Sequence, residues 1–394
     1  MDSKADGESM KVHLLVLNPF TNDARVYKTA KTLASAGYRV TVIALWEEGL
    51  DEIDEFSGFK IVRLKLANRK FRKGSLSRAA RYVEYAWKIW QMASKDPADI
   101  YHANDAITLP AAWIATKRTS SRLVYDAHEL ETGRDFSNST LSRIYRLFWA
   151  LPEKIFIRRA NTVITVSASI ANELARLYRI PTPWIVMNCP EKRSSRKSNR
   201  LREELAIPDT YKIVLYQGQI ARGRGIESLL EAIQPLSKVV AVVLGDGPMM
   251  AEFLSNVNQG KWKRVYLPGK VNLEDLLTYS SSADIGVVLT EDSCLNHHFS
   301  LPNKLFEYIQ AGLPILGSDL PEIARVILEN DLGEVINPGD IQGITKAISR
   351  MIDHRSSYLK MSSNSQKAAD IYNWETESKK LLKAYHLIAE ELRN

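Results

Sequence analysis

Cysteine is nearly absent from this chain. Cys189 and Cys294 are the only two in 394 residues, too few and too far apart for a disulfide framework or a cysteine-based zinc site, and their scarcity points to a reducing cytoplasm. Long apolar runs are missing too. No window approaches the roughly 20 uninterrupted apolar residues of a membrane span, and the first residues, MDSKADGESMK, lack the apolar stretch of a signal peptide. The expected location is therefore the cytoplasm, on the side where the chain is made. No Asp-x-Asp motif occurs and no His/Cys cluster has metal-ligand spacing, so neither a metal nor another cofactor is expected. Nucleic-acid motifs are also lacking.

What remains is the composition of an ordinary globular protein, with 45% apolar and 25% charged residues. Its length exceeds what one core usually organises, which predicts two domains. The net charge of +7 is moderate but unevenly spread. In KIVRLKLANRKFRKGSLSRAARYVEYAWKIW (60–90), Lys and Arg interleave with Phe, Tyr and Trp, and only Glu84 opposes them. An anionic membrane surface, met through 69–90, and a solvated helix face both suit this stretch better than nucleic acid.

Along the chain, VHLLVLN (12–18) is a continuous apolar run of the kind buried on both faces of a sheet. A helical pattern, DARVYKTAKTLASAG, and the run YRVTVIAL complete a βαβ unit. The alternation continues through KIVRLKL, a long basic helix, DIYHAND, RLVYDAHE, a helical stretch at 141–160, NTVITVS and PWIVMN. PEKRSSRKSNR (190–200) interrupts it with a polar linker. A second series then runs from YKIVLYQG through VVAVVLGDGP, RVYLPGKV, ADIGVVL and LPILGSD to a helix near 340–353. The expected fold class is α/β, with two doubly wound Rossmann-like domains facing each other across a cleft. The expected domains are 1–190 and 191–370, with a terminal helix at 371–394 packing back on the first. Ligands of such sheets bind outside the carboxyl ends of the strands.

Three strand-end segments in the second half stand out. GQIARGRGIESLLEAI (218–233) follows a strand with three glycines and two arginines. Gly218 permits close backbone approach, a helix start adds positive potential, and Arg222 and Arg224 add full charges, which suits a diphosphate. A solvated surface turn is the alternative. In VVLGDGP, Gly245 and Gly247 suit approach to a nucleotide, or Asp246 simply closes a turn. In LPNKLFEYIQAGLPILGSD, Asn303 is placed to cap a helix whose Asn303, Glu307 and Gln310 share a stripe. Glu307 suits the vicinal hydroxyls of a ribose, or an ion pair with Lys304.

The ordered set NDARVYKTAKTLASAGYRVTVIAL, DIYHANDAITLPAAWIA, VYDAHEL, VITVSASIANEL, YQGQIARGRGIESLLEAI, GDGP, ADIGVVL and LPNKLFEYIQAGLPILGSDLPE resembles the GT-B glycosyltransferases, in particular glycosyltransferase family 4, along nearly the whole chain. The resemblance implies transfer of a sugar from a nucleotide sugar to a glycan or polyprenyl-linked acceptor in envelope polysaccharide or glycoconjugate synthesis. It also implies an acceptor for 1–190 and a nucleotide-sugar donor for 191–370. It implies a UDP-sugar as default donor, with GDP- and ADP-sugars behind it, and retention of configuration without a metal. Residue by residue, Gln219 falls where the family has an arginine on the diphosphate and Arg224 where it has a lysine, with Arg222 nearest to make good the lost cation. Glu307 matches the glutamate on the ribose. The partner glutamate, eight positions earlier, falls on Phe299, so that His297 or His298 is the substitute toward the sugar, and the backbone from Leu301 to Lys304 approaches sugar and phosphates. His128 matches the histidine that reaches the donor sugar, with a pKa expected near neutrality. Asp126, Glu129 and His102 are the acceptor-side bases available to an inverting reaction. Asn22, Asp23 and Arg25 stand where many relatives have a glycine-rich acceptor loop, and either Asn22 or Asp23 also suits a helix cap. A non-catalytic sugar-nucleotide-binding subunit and a sugar-nucleotide epimerase remain the alternatives.

Overall fold

A computed structural model of the chain describes residues 9–67, 75–133, 151–193 and 196–393, with the backbone only at 75–79. It divides into two compact units, Met1–Met187 with Ser378–Asn394, and Asn188–Glu377. Residues 69–74 of the expected membrane segment 69–90, and the first half, 141–150, of the stretch at 141–160, lie outside the described residues.

The first unit is built on an eight-stranded sheet of order β3-β4-β2-β1-β5-β6-β7-β8. Its strands are β1 (Lys11–Leu15), β2 (Arg39–Leu45), β3 (Ile53–Phe56), β4 (Phe59–Leu64), β5 (Ile100–Asn104), β6 (Arg122–Ala127), β7 (Thr162–Thr165) and β8 (Trp184–Ile185). All neighbours pair in parallel except the edge hairpin β3–β4. The crossover helices include α1 (Ala24–Ser35), α2 (Ser75–Lys95), α3 (Leu109–Thr119) and α4 (Ala168–Tyr178). β1 from Val12 onward and β5 throughout are buried, His13, His102 and Asn104 included, as befits central strands of a sheet covered on both faces. Strand order reverses at β1/β5, and the ends of β1, β5 and β6 form the switch point.

The second unit carries a six-stranded, all-parallel sheet of order β11-β10-β9-β12-β13-β14. These strands are β9 (Lys212–Gln217), β10 (Val239–Leu244), β11 (Val265–Gly269), β12 (Ile285–Val288), β13 (Ile315–Ser318) and β14 (Gly333–Ile336). Val214, Tyr216, Ala241, Val243, Ile285 and Val287 pack with Leu229, Phe253 and Ile344 into one core. Here the switch point falls between β9 and β12. Two helices follow those strand ends, α5 (Ile226–Ala232) and α6 (Asn303–Gln310). A last helix, α7 (Trp374–Arg393), begins in the second unit and continues into the first from Ser378.

Candidate active site

In the second unit, the end of β9 is fixed from α6. The Tyr308 hydroxyl accepts the Gln217 amide N–H at 2.9 Å and donates to the Leu215 carbonyl at 3.1 Å. Burial holds this phenol well above its ordinary pKa, so it remains a neutral donor. Gly286 makes room for it, since a Cβ there would lie 2.5 Å from the tyrosine ring. The buried Gln217 side chain then links two neighbours: its carbonyl accepts the Ser280 hydroxyl at 2.7 Å and its amide donates to the Glu307 carboxylate. Glu307 is thereby aimed by two residues that no local sequence pattern singles out.

Gly218 follows at φ 124°, and a Cβ there would meet the Lys304 ammonium at 3.2 Å. Gly245, at φ 141°, passes so close to Gly218 that a Cβ would lie 1.8 Å from its carbonyl oxygen; a Cβ on Gly247 would lie 2.3 Å from that of Ile220. The approach of these two loops to each other accounts for both glycines, and the Asp246 carboxylate accepts the Gly247 amide at 2.7 Å. Gln219 and Arg222 are exposed, whereas Arg224 is half-buried. Helix α5 has only seven residues, so the positive charge here comes from side chains more than from a helix dipole.

The segment before α6 is pinned to the arginine loop. The Glu291 amide donates to the Gly223 carbonyl at 3.0 Å, and a Cβ on Gly223 would meet the His297 ring at 3.0 Å. His297 Nδ1 lies 2.8 Å from the Ser293 hydroxyl. His298 instead turns to Asp292 at 2.9 Å and meets Phe299 edge-on at 5.1 Å between centroids. Leu301 is buried in the core. Two expectations for α6 need correction. Pro302, not Asn303, occupies the cap position, and no side chain caps the helix. Gln310 is buried and bonds the backbone at Arg193, Ala369 and Tyr372, so it braces the chain and does not share the Glu307 face.

In the first unit, Asp126 at the end of β6 takes two N–H donors from Arg25, at 2.8 and 2.7 Å, and Arg25 gives a third to the Val186 carbonyl at 2.8 Å. Both residues are buried. Burial pushes the Asp126 carboxyl up, but Arg25 and His128 outweigh it and hold the group well below its usual range. This carboxylate is therefore a clamp and not a base at neutral pH, and Arg25 is committed to it, not to an acceptor. His102 is likewise unavailable as a base. It is wholly buried, its Nδ1 lies 2.6 Å from the Tyr385 hydroxyl on α7, and burial lowers its pKa.

His128, partly exposed, stands with Nδ1 3.3 Å from Asp105 and Nε2 3.3 Å from Asp126. Burial works against its charge, but the two carboxylates overcome that and raise its pKa to about 9. The expected near-neutral histidine is thus an imidazolium. Asp105 earns its place by geometry: its backbone is left-handed at φ 65° and its amide donates to the Asp126 carbonyl at 3.0 Å. Glu129 follows His128 at the rim, half-buried. Asp23 caps α1, accepting the Val26 amide at 3.1 Å and the Asn18 side chain at 2.9 Å, while Asn22 is exposed.

Two doubly wound units of this kind, each with polar residues gathered at a strand-order reversal, define the GT-B class of fold. The model of Glycosyltransferase Family 4 matches residues 24–190, and that of Glycosyl transferases group 1 matches 197–368. The chain belongs to this family and is a glycosyltransferase. It is 25% identical to N-acetyl-alpha-D-glucosaminyl L-malate synthase of Bacillus anthracis, over 77% of each chain. Among solved structures it resembles sucrose-phosphate synthase of Thermosynechococcus elongatus, with a TM-score of 0.82 at 18% identity over 97% of this chain and 100% of that one. It also resembles Anabaena HepE in complex with UDP and glucose, with a TM-score of 0.72 at 17% identity over 96% and 99%.

Proposed function

We propose that the chain transfers a sugar from a UDP-sugar to a glycan or polyprenyl-linked acceptor of the cell envelope, with retention and without a metal. The donor is bound by 191–370 and the acceptor by 1–190. The observation that carries this reading is Glu307, a carboxylate held by Gln217 at the reversal point of the second sheet, where it accepts both vicinal hydroxyls of a ribose. Arg224 faces the diphosphate and stabilises it as it leaves. In the first unit, the His128 imidazolium donates to a sugar hydroxyl. The UDP-bound state of HepE supports UDP over GDP or ADP as the base-bearing partner. Helix α2 supports a membrane-linked acceptor: Tyr85, Ile89 and Ala93 are buried, while Val83, Trp87 and Trp90 form an exposed stripe on the same helix.

The test is calorimetric titration with UDP and 2′-deoxy-UDP, with turnover measured in EDTA. Hydrogen bonds to a charged acceptor contribute about 1.5–3 kcal/mol, so Glu307→Ala should weaken UDP by roughly ten- to a hundredfold and abolish the preference for UDP over its deoxy analogue. An unchanged preference would remove the ribose assignment, and turnover lost in EDTA would remove the metal-free mechanism.

A further inference from the structure

At the end of β9 Lys304 feels two charges, Arg224, which opposes its own, and Glu307, which favours it. Neither the Lys304 nor the Arg224 side chain forms a hydrogen bond or a close ion pair with any described residue. Arg224 is close enough to repel the Lys304 charge, and the carboxylate on the same helix, Glu307, already accepts from Gln217. An ordinary surface lysine extends into water. This one lies back over the Tyr216 ring, 3.6 Å from its centroid, in the space left by the absent side chain of Gly218. The Tyr216 ring is itself anchored, its hydroxyl donating to the Gln219 carbonyl at 2.6 Å. Burial first, and Arg224 second, outweigh the opposing pull of Glu307 and lower the Lys304 pKa to about 7. Two like charges kept together in a half-buried place are costly until an anion joins them. Arg222, by contrast, is exposed on the loop.

We propose that the Lys304 ammonium is a phosphate-binding group of the donor site, which with Arg224 grips the diphosphate of the nucleotide. It takes the place that the sequence alone assigns to Arg222. This rests on the reading of the second unit as the donor site, and it adds a residue whose expected contribution was through backbone amides only. The planar ring beneath the ammonium holds it in position before the ligand arrives, so little side-chain entropy is lost on binding.

The full chain should be titrated with UMP and UDP by calorimetry, as wild type, Lys304→Met and Lys304→Arg. Wild type should prefer UDP to UMP by tenfold or more. Lys304→Met, which keeps the stem over Tyr216, should reduce that preference below threefold, and Lys304→Arg should retain most of it. If the methionine variant does not fold, Lys304→Gln is read in the same way. A wild-type preference preserved without the lysine charge would overturn the proposal and leave the donor site standing. Failure of the wild type to bind UDP, GDP or ADP would overturn both.

Discussion

At the scale of single residues, the two sites differ in how they hold charge. Asp126 is saturated by Arg25 and flanked by His128, and its contribution to stability is present above the ordinary carboxylate pKa and lost only as pH falls well below it. His128 runs the other way. Its folded pKa of about 9 exceeds the 6.5 of an ordinary histidine, so its stabilising contribution is complete below about pH 6.5 and disappears as pH rises through about 9. The groups around it are Asp105 and Asp126, which raise its pKa, and Arg25, which lowers it. Turnover that needs the imidazolium should therefore fall above pH 9, and Asp105→Asn should move that fall to lower pH. A pH–rate profile of Asp105→Asn that superimposes on the wild type would rule out the charged histidine. Glu307 and His128 were legible in the sequence because they sit in ordered motifs. Their partners were not: Gln217 is 90 residues from Glu307, and Tyr385 is 283 from His102. Such pairings exist only once the chain is folded.

At the scale of elements, the central strands were legible because burial on both faces imposes unbroken apolar sequence, as in β9 and β10. Two edge strands were not. β3, IDEF, is exposed along its whole length and pairs antiparallel with β4, and β14, GEVI, is only half-buried, so neither had to be apolar throughout. The short strand-end glycines read as ligand-facing in sequence, yet Gly245 and Gly247 are required by the contact of their own loops. Helix α2 shows the converse. Its pattern of aromatics and basic residues is readable, and the structure separates them into a buried stripe at Tyr85, Ile89 and Ala93 and an exposed one with Val83 at 66%, Trp87 at 52% and Trp90 at 39% accessibility. Arg118 of α3 lies 5.7 Å from the Trp90 ring, adding a cation beside the exposed stripe. If this stripe meets lipid, Trp87→Ser with Trp90→Ser should weaken sedimentation with anionic vesicles severalfold, while UDP affinity stays as in the wild type. Equal sedimentation of both proteins would leave the stripe without that role.

For the whole molecule, the terminal helix ties chain ends to function in the first unit. Residues 378–394 belong with 1–187, and α7 buries Leu381, Ala384, Tyr385, Ile388 and Ala389. Tyr385 stacks edge-on against Tyr38 and bonds His102, which in turn stands 3.8 Å from Asp126. Replacing a buried aromatic by alanine removes transferred area and leaves a cavity, typically costing about 3–5 kcal/mol. Because that loss falls in the first unit, Tyr385→Ala should reduce hydrogen-exchange protection in β5 and β6 and lower turnover. The proposed donor residues, Glu307, Arg224 and Lys304, all lie in the second unit, so UDP affinity should remain within twofold of wild type. A variant that lost UDP binding together with turnover would show that the nucleotide depends on the first unit, and the division of donor and acceptor between the two units would have to be abandoned.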